Sequence, residues 1–551
     1  MRSVSVVVLF VSCLLSFACR ETQELSGPII SSPATNAGGP AAAAAGAGAA
    51  PPSAANPLVV KVEDGDLEGA TNATGDIRSY LGIPYAQPPV GALRWKGPQK
   101  AAPWTGVRAA KEFGGRCAQL ESAVLMNKGS ITEDCLYLNV WTPSPAPATK
   151  LPVMFWIHGG GNVNGSTNEP VPYLNSGLFY SGENLAKKGV IVVSLNYRLG
   201  VFGFLSHSQL DIEGSKSGNQ GLWDQQYALQ WVQRNIAAFG GDPAKVTIFG
   251  ESAGSLDVCL HVASPRSRGL FQQAISESGG CTTFQTLKPT AQQTAEKLAT
   301  AVGCTPADLA CLRQKPVMDL LSATAAAGSF GPIIDMDFFP AQPRALFDSG
   351  EIAKVPYILG SNTDEGTLFT LAMTNVNSED TYKAAITARF PTVADQVMLQ
   401  YPTSAFMTEA NPYLAALSRA FGDSSLVCST WDTAIRASKA GSPTWMYNFD
   451  IPAPIAGLGA THGSELVYVF GTSPSLTPEQ IKVSELMQSY WTNLAKLADP
   501  NTAPLLAWPK FSELTDSRVN FSLTPSVVQN FRSDKCKFWQ TLYDARFSAG
   551  M

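Results

Sequence analysis

Several short stretches of this chain carry side chains that could perform acyl transfer together. The first is FGESAGS, Phe249 to Ser255. A short apolar run leads into it and a helical-looking run leaves it. A serine between two glycines at a strand end reads as a nucleophile held out of a sheet by a sharp turn. Gly250 and Gly254 tolerate the crowding, and Ser252 sits at the apex. The helix opening near Ala253 would turn its free N–H groups and its positive dipole end toward the hydroxyl. The plain alternative is an ordinary Gly/Ser turn, so the residues that could activate the serine must decide.

A serine needs a base. The chain has only 4 histidines, His158, His207, His261 and His462. His158 opens the stretch HGGG, which suits another task. His207 precedes the serine in a polar loop. His261 lies on the helix after Ser252, with its ring expected to face away from the turn. His462 stands far downstream in GATHGSELVYVFG, a Gly-rich loop from which a side chain can reach inward, and it is the candidate base. An acid must fix the tautomer of that base. Between Ser252 and His462, GSNTDEGTLF offers Asp364 and Glu365 just after an apolar run, and spacing does not choose between them. The order Ser, acid, His is that of α/β-hydrolases. Finally, Gly159-Gly160-Gly161 follow the run VMFWIH. Glycines there let backbone N–H groups approach a substrate oxygen, each such donor being worth roughly 2.7–4 kcal/mol in the transition state.

These residues need a scaffold. Apolar, β-rich runs precede each of them: Pro152 to Ile157, Val190 to Leu195, Val246 to Phe249, Tyr357 to Leu359 and Trp445 to Phe449. Near-continuous apolar strands suit a mostly parallel sheet covered on both faces. Between them, Gly221 to Phe239 repeats Trp223, Tyr227 and Trp231 at helical spacing, with Ala228, Val232 and Ile236 alongside. That is one apolar helix stripe, ended by Gly240-Gly241. The alternation predicts an α/β fold, with a central sheet flanked by helices. From Leu58 onward no second linker and no repeat interrupts it, so residues 58–551 are expected to form one catalytic domain.

The first residues differ. Arg2 precedes the apolar run Val4 to Ala18, which is short for a membrane span and has the layout of an export signal. Cys19 follows at once. The stretch resembles a bacterial lipoprotein signal, which implies cleavage after residue 18 and a lipid on Cys19. Bulky Phe17 departs from that pattern, Cys13 is a weaker site, and simple secretion is the alternative. Residues 19–57 are rich in Ala, Gly, Pro and Ser, and read as a flexible tether. Of 10 cysteines, those beyond Cys13 and Cys19 are even in number, as disulfides in an oxidising compartment require. The expected location is exported: the cell envelope, or secreted. A net charge of −5 argues against a nucleic-acid partner. No Cys/His cluster has zinc spacing, and no metal or organic cofactor is expected.

EDCLYLNVW (Glu133 to Trp141), HGGG, NYRLGVFGFL, NQGLWDQQYALQWVQRNIAAFGGDP, GESAG, DEG and THGSELVYVFG together resemble the type-B carboxylesterase/lipase family, which includes the cholinesterases. The likeness runs from about Leu58 to Phe547. It implies an α/β-hydrolase fold and a serine esterase acting on small to medium carboxylic esters through an acyl-enzyme. It implies the triad Ser252, Glu365 and His462, with oxyanion donors on the N–H groups of Gly160, Gly161 and Ala253. Ser278, in SESGG, is expected to place a hydroxyl near the acid, and Glu251 to support the triad from beside the serine. The resemblance also implies disulfides Cys117–Cys135, Cys304–Cys311 and Cys428–Cys536. Cys259 and Cys281 are left as a fourth bridge or two buried thiols. Some residues depart from the pattern. Asn162 stands where an aromatic is common, which would make the pocket mouth more polar. No tryptophan lies between Cys117 and Cys135 to hold a choline cation by cation–π attraction. Ala326 and Gly328 stand where bulky acyl-pocket aromatics would fall, which would make the acyl pocket roomier. Other readings remain: a binding protein on this fold, whose kind usually lacks the triad; a lipase, which needs a large apolar lid that the loops after Cys117 and Gly161 do not supply; and a peptidase or lactone hydrolase using the same site.

Overall fold

The computed structural model describes residues 56–122, 129–170 and 178–549. The leader 1–18, Cys19 and the tether up to residue 55 lie outside these, as do 123–128 and 171–177 in the two loops weighed for a lid. An 11-stranded sheet forms the centre. Its strands are β1 (Ala70–Thr71), β2 (Ile77–Pro84), β3 (Tyr137–Pro143), β4 (Leu151–Ile157), β5 (Ile191–Leu195), β6 (Gly241–Glu251), β7 (Gln273–Glu277), β8 (Tyr357–Asn362), β9 (Thr444–Phe449), β10 (Ser517–Phe521) and β11 (Ser526–Gln529). In space they run β11-β10-β9-β8-β7-β6-β4-β5-β3-β2-β1. From β5 through β4 and β6 to β10 every pairing is parallel. The pairings outside that block, at both edges, are antiparallel.

The strands form where the sequence is apolar because both faces are covered. Side chains alternate between faces along a strand. Val153, Phe155 and Ile157 of β4 therefore enter one apolar cluster, and Met154 and Trp156 the other. All of them are fully buried. Each such side chain contributes roughly 1.5–3 kcal/mol of burial, which makes β4 and its neighbours the rigid part of the molecule. On one face lies α1 (Gln220–Asn235), continued by a 3₁₀ turn, Ile236–Phe239, and ended at Gly240 with φ 89°. Trp223 and Trp231 of its stripe are buried, whereas Tyr227 is only partly so. The polar side of α1 is buried as well and must be paired. Asp224 takes a bidentate pair from Arg198, and Gln225 donates to Asp257. The next helix, α2 (Ala253–Ala263), starts at Ser252. On the other face, α3 (Pro478–Leu497) is opened by a Thr477/Gln480 capping box and buries Met487, Trp491 and Leu494.

The chain leaves β4 for β5 on one side, then returns to β6 on the other. Open parallel sheets bind ligands in the crevice beyond the strand carboxyl ends at such a switch point. Here the crevice lies between the loop after β4, starting at His158, and the turn after β6, at Ser252.

Four disulfides form among the described residues: Cys117–Cys135, Cys259–Cys281, Cys304–Cys311 and Cys428–Cys536. Cys259 and Cys281 are therefore bonded and not free thiols. Their bridge ties α2 to the segment that leaves β7. Four bridges suit an oxidising, extracytoplasmic compartment. No described helix is long and apolar enough to cross a membrane. Cys428 and Cys536 are 108 residues apart, and Cys304 and Cys311 only 7. A longer loop loses more unfolded-state entropy on closure, up to about 4–5 kcal/mol. Replacing Cys428 and Cys536 together with alanine is expected to lower the thermal midpoint more than replacing Cys304 and Cys311. Comparing the two double variants checks the order.

Candidate active site

Ser252 occupies the turn between β6 and α2 with φ 58° and ψ −120°. A non-glycine residue with positive φ is uncommon and persists only where its surroundings over-determine it. Here the Ser252 N–H donates to Glu277 O at 2.8 Å, and its carbonyl accepts from Leu256 N–H at 3.0 Å. The flanking glycines are required for space and not for their own φ. A Cβ on Gly254 would lie 2.0 Å from the Ile157 carbonyl oxygen, and one on Gly250 would lie 2.6 Å from the Gly254 oxygen. Helix α2 thus rests directly on the end of β4. Gly159, the first glycine of the loop, closes the contact from the other side. A Cβ there would meet Glu251 O and Oε2 at 2.8 Å and Ser252 Cβ at 3.0 Å.

Gly160 and Gly161 have φ 104° and 65°. The loop is closed by the Val163 and Asn164 N–H groups, which both donate to Gly160 O. At Gly161 a Cβ would find ordinary contacts only, so its positive φ is what demands glycine.

His462 Nδ1 lies 2.6 Å from Glu365 Oε2. The other Glu365 oxygen accepts from Ser278 Oγ at 2.5 Å and from the Asn362 N–H at 2.7 Å. Glu365 is fully buried, and Phe369 packs on the imidazole with ring centroids 5.0 Å apart. Asp364 faces the other way. Its Oδ1 pairs with Arg419 at 3.1 Å, and its Oδ2 accepts from Ala460 N–H at 3.0 Å. The structure therefore brings Glu365, Ser278 and His462 together and leaves Asp364 out. It does not bring Ser252 Oγ into a hydrogen bond with His462. The Nε2 atom lies instead 3.1 Å from Glu251 Oε1. The other three histidines are held elsewhere. His158 is buried, stacks on Tyr197 and bonds Gly159 O, and burial lowers its pKa to about 4. His207 accepts from the Gln209 N–H and bonds Pro306 O. His261 is held between Ser267 and Gln225.

Two buried carboxyl groups, one beside Glu251 and one shortly after His462, were not anticipated from the sequence. Glu277 is paired in register with Glu251 on the adjacent strand, and its Oε1 accepts from Trp491 Nε1 at 2.9 Å. Glu465 lies three residues beyond His462 and accepts from Asn362 Nδ2. Burial pushes Glu277 up to about 8 and Glu465 well above the usual carboxylate range. A Glu neighbouring a singled-out serine in SESGG, and another three residues after the base, were the available signals. Burial also raises Glu251. Burial disfavours charge on His462, but the Glu251 and Glu365 carboxylates outweigh it and raise the imidazole pKa. Among the described residues no group of three or more His, Cys, Asp and Glu side chains is arranged to hold a metal ion.

Two expectations about the pocket change. Asn162 does not face the mouth. It is 2 % exposed and donates from Nδ2 to Asp257 Oδ1 at 3.0 Å. Its φ of 59° turns the side chain beneath the loop, toward α2. Ala326 and Gly328 are exposed, and Ala326 lines a surface groove with Gln293, Lys297 and Pro306, so a roomier acyl pocket has no support from these positions.

A parallel sheet with a serine elbow and a glycine loop facing each other at its switch point defines an α/β-hydrolase. The profile of the carboxylesterase family matches residues 56–539. A mouse (Mus musculus) protein named cholinesterase is 33% identical over 538 residues, covering 88% of this chain and 87% of that one. The chain belongs to the carboxylesterase family and is a carboxylic ester hydrolase.

Two expectations follow from the geometry. Gly254→Ala forces a methyl group into the Ile157 carbonyl, and activity and thermal midpoint should fall together. A variant with wild-type values for both would contradict the close contact. Glu251→Gln removes a carboxylate that favours the charged imidazole, so His462 loses its proton at lower pH. The acid limb of the kcat/KM–pH profile should move down by on the order of one pH unit. An unmoved limb would mean that the neighbouring Glu251 charge does not set the titration of His462.

Proposed function

We propose that the protein cleaves small to medium carboxylic esters through an acyl-enzyme on Ser252. In this reading His462 takes the Ser252 proton as the hydroxyl oxygen attacks the ester carbonyl. Glu365 keeps the ring proton on Nδ1 and balances the imidazolium charge. The Gly160, Gly161 and Ala253 N–H groups receive the oxyanion. His462 then protonates the leaving alcohol. Water attacks the acyl-serine by the same route, and the acid leaves with Ser252 restored. Ser278 and Glu251 touch the acid and the base and do not react. The observation that carries the reading is the 2.6 Å His462–Glu365 contact on loops converging at the serine elbow. Catalytic hydrogen bonds often tighten only in the substrate complex, and the Ser252–His462 contact belongs to that state.

The substrate reading is a neutral ester and not a choline ester. The segment between Cys117 and Cys135 holds no tryptophan to bind a quaternary ammonium face-on. Export fits the same picture: cleavage after residue 18, a lipid on Cys19, and a tether over 19–57 that holds domain 58–551 off a membrane surface. Secretion without the lipid is the other route.

Wild type and Ser252→Ala, both lacking residues 1–56, should be assayed side by side on p-nitrophenyl esters from acetate to palmitate. Wild type is expected to favour the short and medium chains, and the variant to lose on the order of 10⁴-fold or more in rate. A folded wild type as inert as the variant across the whole series would refute the reading.

A further inference from the structure

We infer that Asp257 is a positioning residue for the oxyanion loop: by holding Asn162, it ties the Gly160-Gly161 turn to the helix that begins at Ser252. The inference rests on the ester-hydrolase reading of this site and assigns a residue that reading does not use. An oxyanion hole built from two elements works only if their N–H groups keep a fixed spacing. Here the Gly160 and Gly161 donors come from the loop after β4, and the Ala253 donor from α2. The start of the loop is fixed by the Gly254–Ile157 and Gly159–Ser252 contacts. Its far end is fixed by Asn162. Asp257 lies four residues after Ala253, on the same face of α2.

The conformation of the loop shows why an anchor is needed. Gly160, Gly161 and Asn162 have successive φ values of 104°, 65° and 59°. Such a run costs free energy at the non-glycine residue and must be held from outside. The Asn162 carbonyl accepts from the Gly200 N–H at 2.6 Å, which fixes the backbone. Its side chain makes one hydrogen bond, from Nδ2 to Asp257 Oδ1, and its Oδ1 is buried with no partner among the described residues.

Asp257 is fully buried and has no ion pair among the described residues. Both of its oxygens accept from amides, Asn162 Nδ2 at 3.0 Å and Gln225 Nε2 at 2.7 Å. The chain continues outward. Gln225 Oε1 lies 2.9 Å from His261 Nε2, and His261 Nδ1 lies 2.7 Å from Ser267 Oγ. Burial holds His261 neutral, with its pKa lowered to about 3, so one ring nitrogen donates and the other accepts. With Gln225 accepting from Nε2–H, Ser267 donates to Nδ1. Every proton in the chain then points toward Asp257, and Asp257 orients Asn162.

The test uses the full chain, with p-nitrophenyl butyrate kinetics, thermal midpoints, and affinity for an aryl trifluoromethyl ketone that adds to a serine as a tetrahedral oxyanion. Asn162→Gly keeps the positive φ and removes the anchor. The swapped pair, Asn162→Asp with Asp257→Asn, keeps every hydrogen bond. The amide at position 257 donates to the carboxylate at 162 and still accepts from Gln225. Asn162→Gly is expected to lower kcat on the order of 10- to 100-fold, with KM within about twofold and ketone affinity falling in step. Asn162→Asp alone sets two carboxyl groups against each other and should be impaired. The swapped pair should recover most of kcat with a wild-type midpoint. The inference is overturned if Asn162→Gly keeps kcat within about twofold of wild type, if only KM changes, or if the swapped pair is no better than Asn162→Asp. With an active wild type, those results sink this inference alone. A wild type inert on esters would sink the ester-hydrolase reading and this inference with it.

Discussion

The contact on which the site depends is between two backbones. Helix α2 approaches the end of β4 so closely that a methyl carbon on Gly254 would sit 2.0 Å from the Ile157 carbonyl oxygen. The positive φ of Ser252 follows, because the chain must reverse from strand to helix within one residue. The opposition of the glycine loop to Ser252 follows too, because that loop leaves the same strand one residue later. The apolar clusters on both sheet faces hold β4 and β6 in register. A turn stored under strain is stable only on so rigid a base.

Electrostatics impose the second constraint. The His462 imidazole meets the carboxyl groups of Glu251 and Glu365 and feels that of Glu465, while Glu277 is paired in register with Glu251. Burial disfavours charge on this ring, but the Glu251 and Glu365 carboxylates outweigh it and raise its pKa to about 9. Burial also raises Glu277 to about 8 and Glu465 well above the usual carboxylate range. Glu365 accepts from Ser278 Oγ and the Asn362 N–H, which fix the carboxyl group in front of the imidazole. Similar side chains thus take different roles through their surroundings.

Much of this was legible in the sequence because it is local. The elbow, the glycine loop and the strands before them are short runs whose spacing fixes their form. His462 could be found by elimination, since the chain has few histidines. What stayed hidden was tertiary. Spacing could not choose between Asp364 and Glu365, because the choice lies in which one Arg419 draws outward and which one meets the imidazole. Glu277 and Glu465 look like ordinary surface residues until the packing buries them. Asn162 read as a polar rim residue, and only its left-handed backbone, folded under the loop, reveals a buried partner on α2. The Cys259–Cys281 pairing likewise needed two segments brought together in space.

The central claim is that Ser252 carries the acyl group. It is tested most directly by acid-quenching the enzyme during turnover of a slowly deacylating ester, digesting it, and weighing the peptides. The account predicts a mass gain equal to the acyl group on the peptide containing Ser252, appearing before the steady state and decaying as the ester is exhausted. Steady hydrolysis with that peptide unmodified, or with the acyl group on another residue, would contradict it.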